Sequence, residues 1–363
     1  MSEVAGAGPV RDEDAFDVER VSVWLRENAS GEAGLDGGPE VQQFVGGASN
    51  LTYLLRYAGG PASGGRDVIL RRPPTGTKAA GAHDMRREHD IQAALAPVFA
   101  AVPRMVAFCG DESVIGSTFY VMERIEGTIL RREVPPELGL SRGDVNALCR
   151  TAIDTLVALH EVDVAAAGLA ELDRGAGYVH RQVEGWCGRY RRARTDDVGD
   201  FEATMAWIVA HEPVDRPHVL IHNDFRFDNL VLDPADPTRI VGVLDWEMAT
   251  VGDPLMDLGA ALAYWVQADD HPAFLAVRRQ PTHAPGMLTR AEVVERYCAA
   301  RDLEVTPQQW RFYDVFGCFR LAVIAQQIYY RFHEGQTSNR AYGEFREVVR
   351  FLDAHCAGLI SDS

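Results

Sequence analysis

The spacing of apolar residues changes near residue 141 and divides the chain into two parts. Before this point, three short apolar segments at 41–45, 51–57 and 68–72 are separated by stretches rich in Gly, Ser and Pro, which is typical of an antiparallel meander. After Ser141, apolar residues recur at helical spacing: Val145, Leu148, Ala152, Leu156 and Leu159. The change predicts an α+β fold with a small strand-rich part and a larger helical part.

Further elements fit this division. Helices are predicted at 16–28, 84–95 and 318–332, and strands at 104–108, 118–123, 219–221, 230–232 and 240–244. Residues 1–15 are expected to form a disordered or loosely attached leader. His160, at the end of the long predicted helix, is expected to interact favourably with the helix dipole.

The charge balance excludes two classes of partner. The 363-residue chain has 36 Lys and Arg against 53 Asp and Glu, a formal net charge of −17. Binding to nucleic acid or to an anionic membrane needs a basic face, so we expect neither. No segment approaches the roughly 20 consecutive apolar residues that span a bilayer, and the acidic, Gly- and Ala-rich residues 1–17 are unlike a signal peptide. We therefore expect a cytoplasmic protein; the sequence leaves its oligomeric state open.

Carboxylates are concentrated between residues 221 and 257. Eight occur there against two basic residues, Arg226 and Arg239. The eight are Asp224, Asp228, Asp233, Asp236, Asp245, Glu247, Asp253 and Asp257. Several of them follow short apolar segments, where side chains converge on a cleft, and like charges held together there need a compensating cation.

The spacing within this segment indicates a specific chemistry. Asp224 stands two residues after His222, Asn229 follows five residues later, and Asp245 ends the next apolar segment. This arrangement is typical of kinase catalytic and metal-binding loops. The spacing predicts that Asp224 orients the attacking hydroxyl and that Asn229 and Asp245 hold Mg²⁺ on the nucleotide phosphates. His222 is expected to brace the loop by hydrogen bonding.

These residues carry a resemblance to a known family. Residues 220–259, with His-Asn-Asp at 222–224, Leu-Asp-Trp-Glu at 244–247 and Gly-Asp-Pro-Leu-Met-Asp-Leu at 252–258, resemble the aminoglycoside phosphotransferase-like kinases. Within these, the chain looks most like the kinase-like domains related to those of some acyl-CoA dehydrogenases. The resemblance covers about residues 41–332 and includes 68–74 and 119–127. It implies a bilobal protein-kinase-like fold: a leader and helix at 1–34, a small antiparallel-sheet N-lobe that binds nucleotide at 35–125, and a larger helical C-lobe with the catalytic and substrate sites at 126–363.

The resemblance also implies nucleotide-binding residues. They are Gly46, Gly47, Ser49 and Asn50 in the nucleotide loop, and Met122, Glu123 and Ile125 in the hinge against adenine. Glu88 corresponds to the helix glutamate that pairs with the phosphate-binding base of the third strand. That base is Arg71, where a lysine is expected in protein kinases. Lys78, the only lysine of the chain, is the alternative phosphate contact. Asp257 is expected to brace the catalytic loop from below.

Motif and resemblance together imply a phosphotransferase that uses ATP, or another NTP, with Mg²⁺. Its acceptor is a hydroxyl of a small molecule, either an aminoglycoside or a hydroxyacyl-CoA or hydroxy acid. The alternative is a catalytically weak pseudokinase that acts as a nucleotide-binding or scaffold module. The arginine-rich segment 188–194 is predicted to be helical, with Trp186 and Tyr190 facing the core and the arginines in solvent, where they are available to a CoA ester.

Overall fold

The computed structural model describes residues 4–44, 50–58, 65–74, 84–337 and 339–361. The chain divides into two compact units. Unit 1 comprises Met1–Glu126 and Gly242–Glu247, and unit 2 comprises Gly127–Val241 and Met248–Ser363. Unit 1 contains an antiparallel sheet and unit 2 most of the helices, so the predicted α+β class is confirmed. The predicted domain boundaries at 34/35 and 125/126 stay predictions.

Unit 1 is built on one antiparallel sheet. Its strands are β1 (Ala7–Gly8), β2 (Glu40–Phe44), β3 (Leu51–Tyr57), β4 (Arg66–Arg72), β5 (Met105–Cys109) and β6 (Phe119–Glu123), in the spatial order β1-β2-β3-β4-β6-β5. β3 pairs with β2 on one side and with β4 on the other, which confirms the predicted meander. Two helices, α1 (Val18–Asn28) and α2 (Met85–Leu95), each begin after an aspartate that caps the first turn.

The two faces of this sheet form separate cores. Leu70 of β4 packs in one core with Val21 of α1, and Ile69 packs in the other with Met85 of α2. Because successive residues of a strand point to opposite faces, Arg71 shares the face of Ile69. The alternation therefore places a buried cation on the side of the sheet that α2 covers.

The expectation of a loosely attached leader is wrong for residues 4–15. The backbone oxygen of Asp14 accepts hydrogen bonds from the Tyr53 hydroxyl at 2.8 Å and from Nη2 of Arg72 at 2.6 Å. The Asp14 carboxylate accepts from Nε2 of Gln43 at 2.8 Å, and β1 pairs with β2. These polar contacts, together with the packing of Val4 in the core that contains Ile69, attach the segment to the sheet. The contacts follow no helical or strand periodicity, so the spacing of apolar residues does not predict them.

Unit 2 is mainly helical. Its helices are α3 (Arg142–His160), α4 (Tyr178–Ala193), α5 (Glu202–Ala210), α6 (Pro254–Leu262), α7 (Pro272–Val277), α8 (Arg290–Ala300), α9 (Pro307–His333) and α10 (Phe345–Ser361). The predicted short strands are present as β7 (Val219–Ile221), β8 (Leu230–Leu232) and β9 (Ile240–Val243). β7 pairs with a further strand, β10 (Thr250–Gly252), and β8 pairs with β9. The predicted catalytic motif of residues 222–229 thus connects β7 to β8.

Helices α6 and α9 pack closely at two glycines. A Cβ on Gly317 would lie 2.5 Å from the carbonyl oxygen of Gly259, and a Cβ on Gly259 would lie 2.8 Å from that of Tyr313. A larger residue at either position would force the helices apart. α9 begins earlier than predicted, because its first turns mix polar and apolar residues and lack a continuous apolar run. Within the described ranges, no helix is long and apolar enough to cross a membrane.

Asp314 on α9 is expected to make stability depend on pH. Burial raises the pKa of this carboxyl to about 6, although Trp310 and Arg290 lower it. Because the pKa of Asp314 is higher in the folded protein than in the unfolded chain, its protonated form stabilises the fold. This contribution is complete below about pH 4, is lost as the pH rises through about 6, and amounts to up to about 3 kcal/mol. We expect Asp314→Asn to remove this dependence, so that in urea unfolding the variant is more stable than the wild type at about pH 8. Asp302→Asn, at an exposed aspartate, is the control; parallel pH profiles for Asp314→Asn and the wild type would contradict the prediction.

Candidate active site

In unit 1, Arg71 joins two carboxylates. Nη1 of Arg71 lies 2.9 Å from Oε1 of Glu88 on α2, and Nη2 donates a hydrogen bond to Oδ1 of Asp245 at 3.0 Å. The pair of Arg71 and Glu88 that the resemblance implies is therefore present. A planar guanidinium can bind two carboxylates through separate N–H groups, which a single ammonium does with less directional control.

This cluster carries an excess of negative charge. Burial disfavours the charged form of Arg71, but neighbouring Tyr120, Glu88 and Asp245 raise its pKa well above the ordinary value. Burial also raises the pKa of Glu88, with Arg71 lowering it and Asp245 raising it. The Glu88 side chain is 1% exposed and that of Asp245 is 35% exposed. Asp245 is therefore the carboxylate that a dissolved cation can reach.

Asn50 lies in the same cluster. Its Nδ2 donates to Oε2 of Glu247 at 3.0 Å and lies 3.4 Å from Oε2 of Glu88. Nη1 of Arg87 donates to the backbone oxygen of Glu247 at 3.1 Å. One end of the predicted nucleotide loop is thus attached to the residues that surround Asp245. Gly46, Gly47 and Ser49, together with Lys78, lie outside the described residues.

The segment that carries Asp245 is held firmly within unit 1. The amide of Val243 donates to the backbone oxygen of Ala101 at 2.6 Å, and Nε1 of Trp246 donates to the backbone oxygen of Val243 at 2.8 Å. The buried Trp246 ring packs edge-on against Phe99. Asp245 itself has φ of 67°, a left-handed conformation that aspartate tolerates better than most residues. Such backbone geometry is often found where a side chain must be aimed at a ligand.

The predicted hinge residues lie at the end of β6. Met122 is buried and pairs with Ile69 of β4. The Glu123 amide donates to the backbone oxygen of Arg104 at 2.8 Å, and the hydrogen bond from the Arg104 side chain holds the pKa of Glu123 below its ordinary value. Ile125 is half-buried and follows the strand. Glu123 is thus fixed by an ion pair in the sheet.

In unit 2, the predicted catalytic motif brings Asp224 and Asn229 together. Nδ2 of Asn229 donates to the Asp224 backbone oxygen at 2.9 Å and to its Oδ2 at 2.9 Å. Nδ1 of His222 accepts from the Asp224 amide at 3.2 Å, in line with the expected bracing role of His222. The five-residue spacing that the sequence shows therefore closes a loop in which the amide of Asn229 fixes the carboxylate of Asp224.

Asp257 supports this loop from within the protein. It accepts from the amide of His222 at 2.8 Å and from the amide of Asn223 at 2.7 Å, which confirms the expected brace. Nε2 of His160 lies 3.0 Å from Oδ2 of Asp257, and Nδ1 lies 2.6 Å from the Tyr297 hydroxyl. Because a carboxylate only accepts, Nε2 donates to Asp257. Burial disfavours ionisation of Asp257, but His160 and His222 hold its pKa below the ordinary value. His160 is thus buried and supports Asp257. The expected interaction with the helix dipole does not account for this role.

Arg226 contacts Asp224 in the candidate site, although the sequence pattern did not predict a role for it. Its Nη2 donates to Oδ2 of Asp224 at 3.1 Å, and its Nε lies 3.0 Å from Oδ1 of Asp224 and 3.3 Å from Oδ1 of Asp228. Its guanidinium lies 4.6 Å from the ring centroid of Tyr264. The sequence does contain a signal that could have identified Arg226: it lies between Asp224 and Asp228, and segment 221–257 has only one other arginine, Arg239.

The sequence has recognisable relatives. The model of the Phosphotransferase enzyme family matches residues 40–313. Acyl-CoA dehydrogenase family member 11 of Homo sapiens is 32% identical over 343 residues, 93% of this chain and 42% of that protein. Acyl-CoA dehydrogenase family member 10 of Mus musculus is 35% identical over 302 residues, 83% of this chain and 27% of that protein. The chain thus spans less than half the length of these relatives.

Solved structures share the fold. A Ralstonia eutropha JMP134 protein, provisionally described as an aminoglycoside phosphotransferase, has a TM-score of 0.78 and 29% identity, covering 96% of this chain and 99% of that one. Choline kinase of Cryptosporidium parvum has a TM-score of 0.60 and 12% identity, over 95% and 96% of the two chains. A thermostable mutant of aminoglycoside phosphotransferase APH(4)-Ia, solved with AMP-PNP and hygromycin B, has a TM-score of 0.54 and 15% identity over 94% and 98%. The expected protein-kinase-like α+β fold is confirmed.

Proposed function

Because the chain belongs to the phosphotransferase enzyme family, we propose that it moves the γ-phosphate of ATP, or of another NTP, to a hydroxyl of a small molecule. The observation that carries the proposal is the Asp224 carboxylate, fixed by Asn229 at 2.9 Å in a loop that Asp257 braces. Phosphoryl transfer needs little covalent chemistry from the protein and depends on alignment and charge. A fixed carboxylate beside the acceptor hydroxyl supplies the alignment.

Asp224 has the role of accepting and orienting the proton of the attacking hydroxyl. The carboxylate is available for this, since its side chain is 24% exposed. Arg226 and Asn229 both contact it, so its two oxygens have fixed directions. Arg226 also contributes a positive charge beside the reacting groups, where negative charge has to be stabilised during phosphoryl transfer.

The donor set fits Mg²⁺, which prefers oxygen ligands. Asn229 uses its amide nitrogen on Asp224, which leaves the amide oxygen as its ligand atom. Asp245 belongs to a cluster in which two carboxylates share one guanidinium, and its side chain is partly exposed. Asn229 and Asp245 are therefore the residues that would hold the metal. When bound, Mg²⁺ neutralises charge on the nucleotide phosphates.

Unit 1 would supply the nucleotide contacts. Arg71 is the better candidate for the phosphate-binding base than Lys78, because Glu88 and Asp245 fix its guanidinium. Asn50 belongs to the same cluster, which supports the assignment of Gly46, Gly47, Ser49 and Asn50 to the nucleotide loop. The proposal keeps Met122, Glu123 and Ile125 as the hinge against adenine. AMP-PNP in the APH(4)-Ia structure supports a nucleotide as the phosphate donor.

For the acceptor, we propose a hydroxyacyl-CoA or hydroxy acid in preference to an aminoglycoside. The support is the similarity to acyl-CoA dehydrogenase family members 10 and 11 over most of this chain. Similarity of fold to aminoglycoside phosphotransferases carries less weight, since one fold hosts many substrates.

A product screen tests the proposed function. The full chain is incubated with Mg·ATP and either aminoglycosides or short and medium hydroxyacyl-CoA esters with their free acids, and phosphorylated products are detected by mass spectrometry. We expect product in the acyl arm and none with Asp224→Ala. Product in the aminoglycoside arm alone would overturn the acceptor proposal. Absence of product in both arms, with tight Mg·ATP binding, would favour the pseudokinase alternative.

A further inference from the structure

Two arginines of unit 2 lie against the ring of Trp186 on α4, and a third, on the same helix, lies near one of them. The guanidinium carbons of Arg189 and Arg320 lie 4.4 Å and 5.1 Å from the Trp186 ring centroid. Arg192 folds back along the same helix, since a Cβ on Gly188 would lie 3.2 Å from its Nη1. Arg189 is exposed but partly desolvated, which lowers its pKa, and the charges of Arg320 and Arg192 lower it further. Arg189 is therefore close enough to the other two cations to be repelled by both.

The described residues form no ion pair with these three arginines. In the described parts of the chain, no carboxylate oxygen lies within 4.0 Å of a guanidinium nitrogen of Arg189, Arg192 or Arg320. Arg191, on the same helix, is different, because it pairs with Glu202 at 2.6 Å. The contrast is notable in a chain with a net charge of −17, where carboxylates are plentiful. The cluster is a local positive site.

Arg320 makes the cluster costly without an anion. It is only 7% exposed, and its Nη2 donates to a neutral partner, the backbone oxygen of Asn223, at 2.8 Å. The face of Trp186 attracts the guanidinium but carries no net charge. A buried cation that forms no ion pair among the described residues is unfavourable, so this side chain is suited to receive a negative ligand group.

The cluster also lies beside the catalytic loop. Arg320 binds the backbone of Asn223, the residue before Asp224. Burial raises the pKa of Tyr264, and the charges of Asp224, Arg226 and Arg320 all act on its hydroxyl. An anion held by the arginine cluster would therefore be close to Asp224.

We infer that Arg189, Arg192 and Arg320, with Trp186 in contact with Arg189 and Arg320, form the subsite that binds an oxyanion group of the phosphate acceptor. This inference rests on the proposed function for its ligand. A carboxylate and a phosphate group share the required chemistry, because the guanidinium fork matches the paired oxygens of both. The source is therefore the carboxylate of a hydroxy acid or a phosphate of a CoA thioester. A polycationic aminoglycoside would be repelled here.

Direct binding tests the subsite without requiring turnover. Calorimetric titrations of the full chain with coenzyme A and with a short hydroxy acid are compared for the wild type, Arg189→Gln/Arg192→Gln and the control Arg191→Gln. Both substituted arginines of the double variant are exposed, so the fold should persist. We expect the double variant to bind the preferred anion about tenfold or more weakly, because hydrogen bonds between charged groups typically contribute this much to affinity. The control should bind within about twofold of the wild type.

Arg320→Lys keeps the buried charge but not the fork, so we expect it to weaken binding of the same anion several-fold with little loss of thermal stability. The probe whose affinity falls identifies the anionic group that the subsite binds. A loss for coenzyme A alone indicates a phosphate of a CoA thioester, and a loss for the hydroxy acid alone indicates its carboxylate. Equal losses in the double variant and in Arg191→Gln, or no binding of either probe to the wild type, would overturn the subsite. Binding that depends on these arginines in a chain that forms no product in the screen would instead refute the proposed function.

Discussion

Asp224→Asn should lower kcat by about two to four orders of magnitude while ATP binding changes little. Asparagine preserves the size of the side chain and can still accept hydrogen bonds from Asn229 and Arg226, but it cannot take up the proton of the acceptor hydroxyl. Losses of this size are typical when a positioned general base is removed. The measurement is steady-state kinetics with the acceptor found in the product screen, together with nucleotide affinity by calorimetry.

Asp236→Asn is the matched control, because this aspartate belongs to the same segment and only accepts hydrogen bonds from Thr238. We expect its kcat to equal that of the wild type. A wild-type kcat for Asp224→Asn, in protein with an unchanged melting temperature, would show that this carboxylate does not act on the acceptor.

Asp245→Asn should abolish most of the metal-dependent turnover, by about two orders of magnitude or more, and should raise the Mg²⁺ concentration needed for half-maximal rate. The substitution removes the partly exposed carboxylate but leaves Arg71 paired with Glu88 at 2.9 Å. In the variant, Arg71 contacts one carboxylate, that of Glu88, instead of two. Because the excess negative charge is removed, we expect no loss of thermal stability. Turnover measured over a Mg²⁺ titration, with a melting curve of the same sample, separates the two effects.

Asp111→Asn provides the same change of charge at an exposed site of unit 1, and we expect it to leave the Mg²⁺ dependence unchanged. An unaltered Mg²⁺ titration for Asp245→Asn would contradict its assignment as a metal ligand. In a scaffold without turnover, the substitution would leave partner binding intact, and there would be no metal-dependent rate to lose.

Much of the candidate site could be predicted because its key residues are close in sequence. Asp224 and Asn229, which share a hydrogen bond, are five residues apart in a recognisable motif, and the pair of Arg71 and Glu88 was implied by the family resemblance. Asn50 and Glu247 are different, since 197 positions separate them. Spacing along the chain carries no information on such a contact, and only a folded chain brings these side chains together.

The sequence by itself determined the type of most elements, the antiparallel meander and the set of residues suited to phosphoryl transfer. Hydrophobic periodicity and motif spacing are properties of short stretches of sequence, so they can be recognised without knowledge of the fold. Tertiary structure alone decided that His160 supports Asp257, that residues 4–15 pack on the sheet and that Arg320 is buried with no ion-pair partner among the described residues. Each of these depends on burial and charge pairing between distant segments, and it is folding that removes a side chain from water and determines which charges become its neighbours.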